Sequence, residues 1–235
     1  MPIAASWAER FRGRQTVRHD CFAFNFTELP GKFRTAQMRQ AFKRLGQGFV
    51  LTEMERPLYS KVFGIPEDKL MVVPWGVSRP EPSFNRLVEG SYIAALGGEA
   101  RDYAPLIQAA RQMPNRQFVV VARPKNLAGL ELPANIKTFT NLPLEDAWSV
   151  VAYADMHLLP LVSRDTPCGI VTAVGAMHLG KPQVVTASGG VLEYAEHGLS
   201  ALGVEAGSAA ALLAGIRKLD AEPGLAAQLG SHAQE

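Results

Sequence analysis

The sequence predicts an α/β protein whose larger part is a doubly wound parallel sheet, and three observations carry that prediction. Short strand-like runs alternate with helical stretches from residue 91 onward. Several runs are apolar throughout instead of alternating, with Phe118-Val119-Val120-Val121-Ala122 the clearest, as a strand buried on both faces requires. Residues 158–182 read in order as strand, polar loop, small-residue helix and stop, the stop made by Gly180 with Pro182 just beyond. In open sheets of this kind ligands bind beyond the carboxyl ends of the strands.

Taken in order, residues 1–20 are polar and carry no strong element. Residues 21–26 (Cys-Phe-Ala-Phe-Asn-Phe) suggest a short strand, broken by Pro30-Gly31. Met38, Phe42 and Leu45 fall at helical spacing and predict a helix over 35–45, ended by Gly46 and Gly48. A strand at 49–52, a helix at 53–63, a turn at 64–69 and a strand at 70–74 follow. Pro74, Pro80 and Pro82 make an extended connection that cannot enter a sheet centre, so the domain boundary is placed there, giving 1–80 and 81–235. The second part predicts strands at 92–96, 118–122, 136–139 and 183–186. Its helices are predicted at 103–113, 144–154, 209–219 and 225–229, with a glycine-rich loop at 188–190.

The 235 residues, 47% hydrophobic and 20% charged, are those of an ordinary folded protein of one large or two small domains. No apolar run reaches the roughly 20 residues of a membrane span, and the N-terminus lacks a signal-peptide core, so a cytoplasmic location is expected. Cys21 and Cys168 match no metal spacing and are read as reduced thiols. The net charge of +2 conceals an asymmetry. Residues 1–80 hold 13 Lys+Arg against 7 Asp+Glu, and residues 81–235 hold 11 against 15. The basic excess gathers at Arg10, Arg12 and Arg14 and between Lys32 and Arg44. It reads as a solvated face or as a peripheral membrane contact at the inner face, and no nucleic-acid partner is expected.

The loop at 165–169 leads into a helix start, where exposed N–H groups can hold a phosphate. Gly169 removes side-chain bulk there, or else only permits a tight turn. Thr166 and Thr172 add hydroxyls. The five histidines have no nucleophile or base order around them, and His157 and His178, in apolar contexts, are read as hydrogen-bonded packing residues. No phosphate-binding P-loop, zinc spacing or full dinucleotide fingerprint is present.

The order of the motifs resembles the donor-binding, Rossmann-like C-terminal domain of GT-B glycosyltransferases, in the large retaining group often called family 4. The pieces are Val73-Pro74-Trp75-Gly76-Val77, Leu96-Gly97-Gly98 with Arg101, and Ala154-Asp155-Met156-His157-Leu158-Leu159-Pro160. They continue with Cys168-Gly169-Ile170-Val171, Ala176-Met177-His178-Leu179-Gly180-Lys181-Pro182, and Ser188-Gly189-Gly190 through Glu193 to His197-Gly198. The resemblance implies a nucleotide diphosphate sugar as donor and a saccharide or lipid-linked acceptor; no cofactor is expected, and no metal, because no Asp-x-Asp cation motif occurs. It implies Arg101 as the cation that stabilises the leaving phosphate, and places Gly97, Gly98, Thr166, Cys168, Gly169, Ile170 and Thr172 around the diphosphate. Arg123 is either a second cation of that pocket or a surface residue closing its strand.

Two departures accompany the resemblance. Where the family carries an acidic pair this chain has Thr166 and Gly175, and Asp165 is expected to stand in for the first. Residues 1–80 suffice for two or three strands and two helices, a fragment of the acceptor-side half, so a truncated or reduced relative is expected. The readings are a hexosyltransferase, a non-catalytic nucleotide-sugar-binding module or subunit that needs a partner chain, and, third, an epimerase on the same fold.

Overall fold

A computed structural model describes residues 19–22, 26, 28–162 and 166–234. The expectations for residues 1–18, and the cations at Arg10, Arg12 and Arg14, lie outside the described residues, as does Asp165. The chain divides into two compact units, Met1–Trp75 and Gly76–Glu235.

In the first unit the described residues form a parallel sheet in the order β1-β2-β3, with β1 at His19–Phe22, β2 at Leu45–Val50 and β3 at Leu70–Val72. Helices α1 (Lys32–Phe42) and α2 (Glu55–Phe63) connect them, and a short 3-10 turn at Glu67–Lys69 precedes β3. Phe42, Leu45, Val50, Tyr59, Phe63, Ile65 and Leu70 make the core. The expected helix over 35–45 starts three residues earlier and stops at Phe42. Gly46 and Gly48 do not end it but lie inside β2. The reason is pairing: Leu45 is buried opposite His19, and Gly48 is bracketed by Cys21 on one side and Leu70 on the other. A strand hydrogen-bonded along both edges tolerates glycines that propensity alone counts against. Glu55 fixes the β2–α2 turn, its buried Oε2 accepting from the amides of Leu51 (2.7 Å) and Thr52 (2.9 Å) and from the Thr52 hydroxyl (3.0 Å).

The second unit is a six-stranded, all-parallel sheet in the order β6-β5-β4-β7-β8-β9. Its strands are β4 (Tyr92–Leu96), β5 (Gln117–Ala122), β6 (Ile136–Thr140), β7 (Met156–Leu159), β8 (Gln183–Thr186) and β9 (Leu202–Val204). Its helices are α3 (Tyr103–Arg111), α4 (Pro124–Leu127), α5 (Leu144–Ala152), α6 (Ile170–His178), α7 (Gly189–Leu192), α8 (Ala209–Ala221) and α9 (Pro223–His232). The strand order reverses between β4 and β7, which is the switch point of a doubly wound sheet.

The predicted two-sided burial is visible residue by residue. Ile93, Ala95, Phe118, Val120 and Leu158 face one core with α3 and α8. Tyr92, Ala94, Val119 and Val121 face another with Trp148 of α5. The segment after Gly76 belongs to this unit through Ser83, whose hydroxyl donates to Asp146 Oδ1 (2.7 Å) and whose amide donates to the Glu145 carbonyl (3.2 Å). Strand β9 and the four-residue helices α4 and α7 have no counterpart in the sequence reading. Leu-Gly-Val is too short and too glycine-interrupted to register as a strand until β8 is there to pair with it.

Candidate functional site

The site is built where β4 and β7 lie side by side and their following loops are tied together. The amide of Val162 donates to the Ala100 carbonyl (3.0 Å), and that of Asp102 to the Pro160 carbonyl (3.1 Å). Arg101 and Leu161 form an antiparallel bridge between them. Asp102 then caps α3 by accepting from the Ala104 amide (3.2 Å).

This arrangement folds the Arg101 side chain back over the end of β4. Its Nε donates to the Leu96 carbonyl (3.1 Å), Nη1 to the Glu99 carbonyl (2.9 Å) and Nη2 to Thr172 Oγ1 on α6 (2.7 Å). A guanidinium has five N–H donors, so two make no hydrogen bond among the described residues. Burial lowers the Arg101 pKa, opposed by Tyr103, Cys168 and Glu99, and the group remains a cation at any physiological pH. Gly97 makes the berth: its φ is +131°, and a Cβ there would stand 2.5 Å from Arg101 Nη2. The Tyr103 hydroxyl holds the Gly97 carbonyl at 2.6 Å, and burial pushes that phenol up to about 12, so it stays a donor.

Beside Arg101 the chain enters α6 through Gly169, in the left-handed region at φ +91°, with Leu159 Cδ2 only 3.1 Å from where a Cβ would be. The turn itself therefore needs this glycine, and no side chain caps the helix start that follows it. The Ile170 side chain is buried in the core and offers only its backbone to a ligand. Thr172 is engaged by Arg101. Thr166 and Cys168 are buried, the Thr166 hydroxyl donates to Cys168 Sγ (3.6 Å), and the Thr166 carbonyl accepts from Ser188 (3.2 Å). These two residues brace the turn from below instead of presenting polar atoms outward.

Arg123 lies on the other side of the same loop. Its methylenes cover Gly98, where a Cβ would be 2.9 Å from Arg123 Cγ. Its exposed guanidinium pairs with the Glu99 carboxylate, and Lys125 reaches the same oxygen at 3.5 Å. Asn126, which the sequence reading did not single out, fixes the Gly98 carbonyl (2.7 Å). The room that Gly97 and Gly98 leave is thus taken by two arginine side chains.

Gly175, at the second position where the resemblance leads one to look for an acid, is buried with Trp148 Cη2 only 2.2 Å from a would-be Cβ. An acidic side chain has no room there while the indole is in place. His157 and His178 are hydrogen-bonded packing residues. His157 Nδ1 lies 3.0 Å from Gln183 Oε1, and His178 Nε2 lies 2.9 Å from the Val77 carbonyl. Burial, with a smaller push from Arg101, takes His157 down to about 4 despite the Gln183 bond. Among the described residues no group of three or more His, Cys, Asp or Glu could hold a metal ion, and no helix is long and apolar enough to cross a membrane.

The family model of the glycosyl transferases group 1 matches residues 99–235, more than half of the chain. The chain belongs to this family. No curated protein matches it in sequence. Among solved structures, the chain is similar to a sucrose-phosphate synthase from Thermosynechococcus elongatus, with 17% identity and a TM-score of 0.77. That match covers 99% of this chain and 65% of the synthase. It is also similar to HepE from Anabaena solved with UDP-glucose, with 16% identity and a TM-score of 0.79, covering 99% of this chain and 70% of HepE. A glycosyltransferase from Rickettsia africae matches with 17% identity and a TM-score of 0.64, over 91% of this chain and 64% of the other. The chain thus spans about 65% of the synthase's length. At these identities the likeness concerns the fold, which is the GT-B, Rossmann-like glycosyltransferase architecture with parallel sheets that the sequence predicts.

Proposed function

We propose that this chain binds a nucleotide diphosphate sugar at the β4/β7 rim and transfers its hexose, with retention, to a saccharide or lipid-linked acceptor. The observation that carries the reading is the meeting of Arg101 with the start of α6, at 2.7 Å through Thr172. A guanidinium with donors to spare sits beside a helix N-terminus that no side chain caps, which is a site for an anion with two adjacent charges. Such a pair stabilises charge on a departing diphosphate without any proton transfer, so Arg101 serves as an electrostatic group. Gly97, Gly98, Gly169, Ile170 and Thr172 shape the rim around it, Thr166 and Cys168 hold the α6 turn, and Arg123 supplies the second cation once it leaves Glu99. Asp165 is proposed as the catalytic carboxylate that stands in for the first acid of the pair. HepE, solved with UDP and with UDP-glucose, lends the donor class its support. The protein would work in the cytoplasm, at the inner face of the membrane.

A second reading, a nucleotide-sugar-binding module or a subunit completed by a partner chain, is favoured by one specific observation: Trp148 occupies the space an acidic residue at 175 would need. Calorimetric titration with UDP-, GDP- and ADP-glucose, followed by measurement of donor hydrolysis, separates the two. Binding with turnover supports the transferase, binding without turnover the module. Absence of binding to all three removes both.

A further inference from the structure

Helix α1 presents a face that the nucleotide-sugar reading does not use. From Lys32 to Arg44 the sequence carries five cations (Lys32, Arg34, Arg39, Lys43 and Arg44) and no acidic residue; the nearest acid before it is Glu28. The inward side of the helix is fixed by Met38, Ala41 and Phe42 in the core of the first unit. Arg39 locks it against the end of α2, with Nε donating to the Val62 carbonyl (2.7 Å) and Nη2 to that of Lys61 (3.2 Å). These bonds bring the exposed Lys61 alongside α1. At 100° per residue, Lys32, Phe33, Ala36, Gln40 and Lys43 point away from that core, and all five are exposed.

Two features of this face set it apart from an ordinary solvated helix. Among the described residues Lys32 and Lys43 make no ion pair, so their charge is uncompensated. Phe33, between Lys32 and Arg34, is 78% exposed although it is a large aromatic ring on a rigidly held helix. Cations on the same helix face as an outward aromatic complement a surface with negative charge outside and apolar matter just below it. We infer that the outer face of α1 docks the protein on an anionic phospholipid bilayer, with Phe33 entering the headgroup layer and Lys32, Lys43 and Lys61 lying over lipid phosphates. An oligonucleotide duplex would match the charge but leave the ring without an apolar partner.

The inference stands apart from the donor reading, since vesicle binding is measured with no nucleotide sugar present. The full chain is floated with phosphatidylcholine vesicles, with and without phosphatidylglycerol, at low and high salt. Binding is expected only to the anionic vesicles and is weakened by salt. Lys32→Gln with Lys43→Gln lowers the partition about 25-fold, at about fivefold per cation. Phe33→Ser lowers it about tenfold, while Phe33→Leu retains it. All of these positions are exposed, and unchanged circular dichroism certifies the fold. Equal flotation with neutral and anionic vesicles, or full binding by both the double variant and Phe33→Ser, overturns the inference. Loss in the lysine variant with none in Phe33→Ser, together with equal binding to an oligonucleotide, also overturns it, because the face would then recognise charge alone.

Discussion

Removing the Arg101 guanidinium has two separable consequences, which the geometry allows to be sized in advance. Arg101→Ala deletes three hydrogen bonds, to the carbonyls of Leu96 and Glu99 and to Thr172 Oγ1. At a net 0.5–1.5 kcal/mol each the stability loss is about 3 kcal/mol, a fall in Tm of roughly 10 °C for a unit of this size. The second consequence concerns the ligand. A charge-assisted hydrogen bond to phosphate contributes about 1.5–3 kcal/mol, so affinity for UDP or GDP should fall by about 10- to 150-fold. Arg101→Lys keeps the charge but loses the fork that reaches three acceptors, so it should recover part of the affinity and little of the stability. Differential scanning calorimetry measures the first effect, and isothermal titration with UDP, well below the lowest Tm, measures the second. Wild-type affinity in a folded Arg101→Ala protein would remove this residue from the site and, with it, the argument for the β4/β7 rim.

Other perturbations read other parts of the structure. Glu99→Gln frees Arg123 and Lys125 from their shared carboxylate, so UDP affinity at low salt should rise a few-fold, an exposed pair being worth about 0.2–1 kcal/mol; no change, or weaker binding, would exclude Arg123 as the second cation. Gly175→Ala drives a methyl into Trp148 and should cost about 1–3 kcal/mol in urea unfolding, with a shift in indole fluorescence; a neutral result would mean that the indole can move and that an acid could be accommodated. His157 is held neutral, its pKa lowered from 6.5 to about 4, so the unfolded chain takes up its proton first on acidification. Stability should therefore be level above about pH 7 and fall by about 3 kcal/mol between pH 6.5 and 4, and His157→Gln should remove that part of the slope; an unchanged slope would show that other groups carry it.

The larger sheet could be read from the sequence because buried parallel strands announce themselves. Phe118 to Ala122 has one character on both faces, and the Gly180 stop after α6 is a local signal. The first unit was harder, since whether Leu45 ends a helix or begins a strand depends on His19, 26 residues earlier, which propensity cannot see. At the candidate site the motif order pointed to Arg101 and the Gly169 turn as a pair, and the structure joins Arg101 to the helix that follows this turn through Thr172. What could not be read was the use made of the glycines. Gly97 and Gly98 suggest an approaching ligand, but each is covered by an arginine from its own neighbourhood. Tyr103, Asn126 and Glu99 gave no signal because their roles lie in which carbonyl or cation they meet after folding, and no spacing encodes that.

The two-bond tie between residues 100–102 and 160–162 has a consequence for energetics. A phosphate loop that is slack before binding must lose freedom when the ligand arrives, and the lost entropy is subtracted from affinity. Here two adjoining connections are stitched into a miniature ladder, so their amides should exchange slowly with deuterium even without nucleotide. A ligand that touches these two stitched segments would then have little of their backbone left to order.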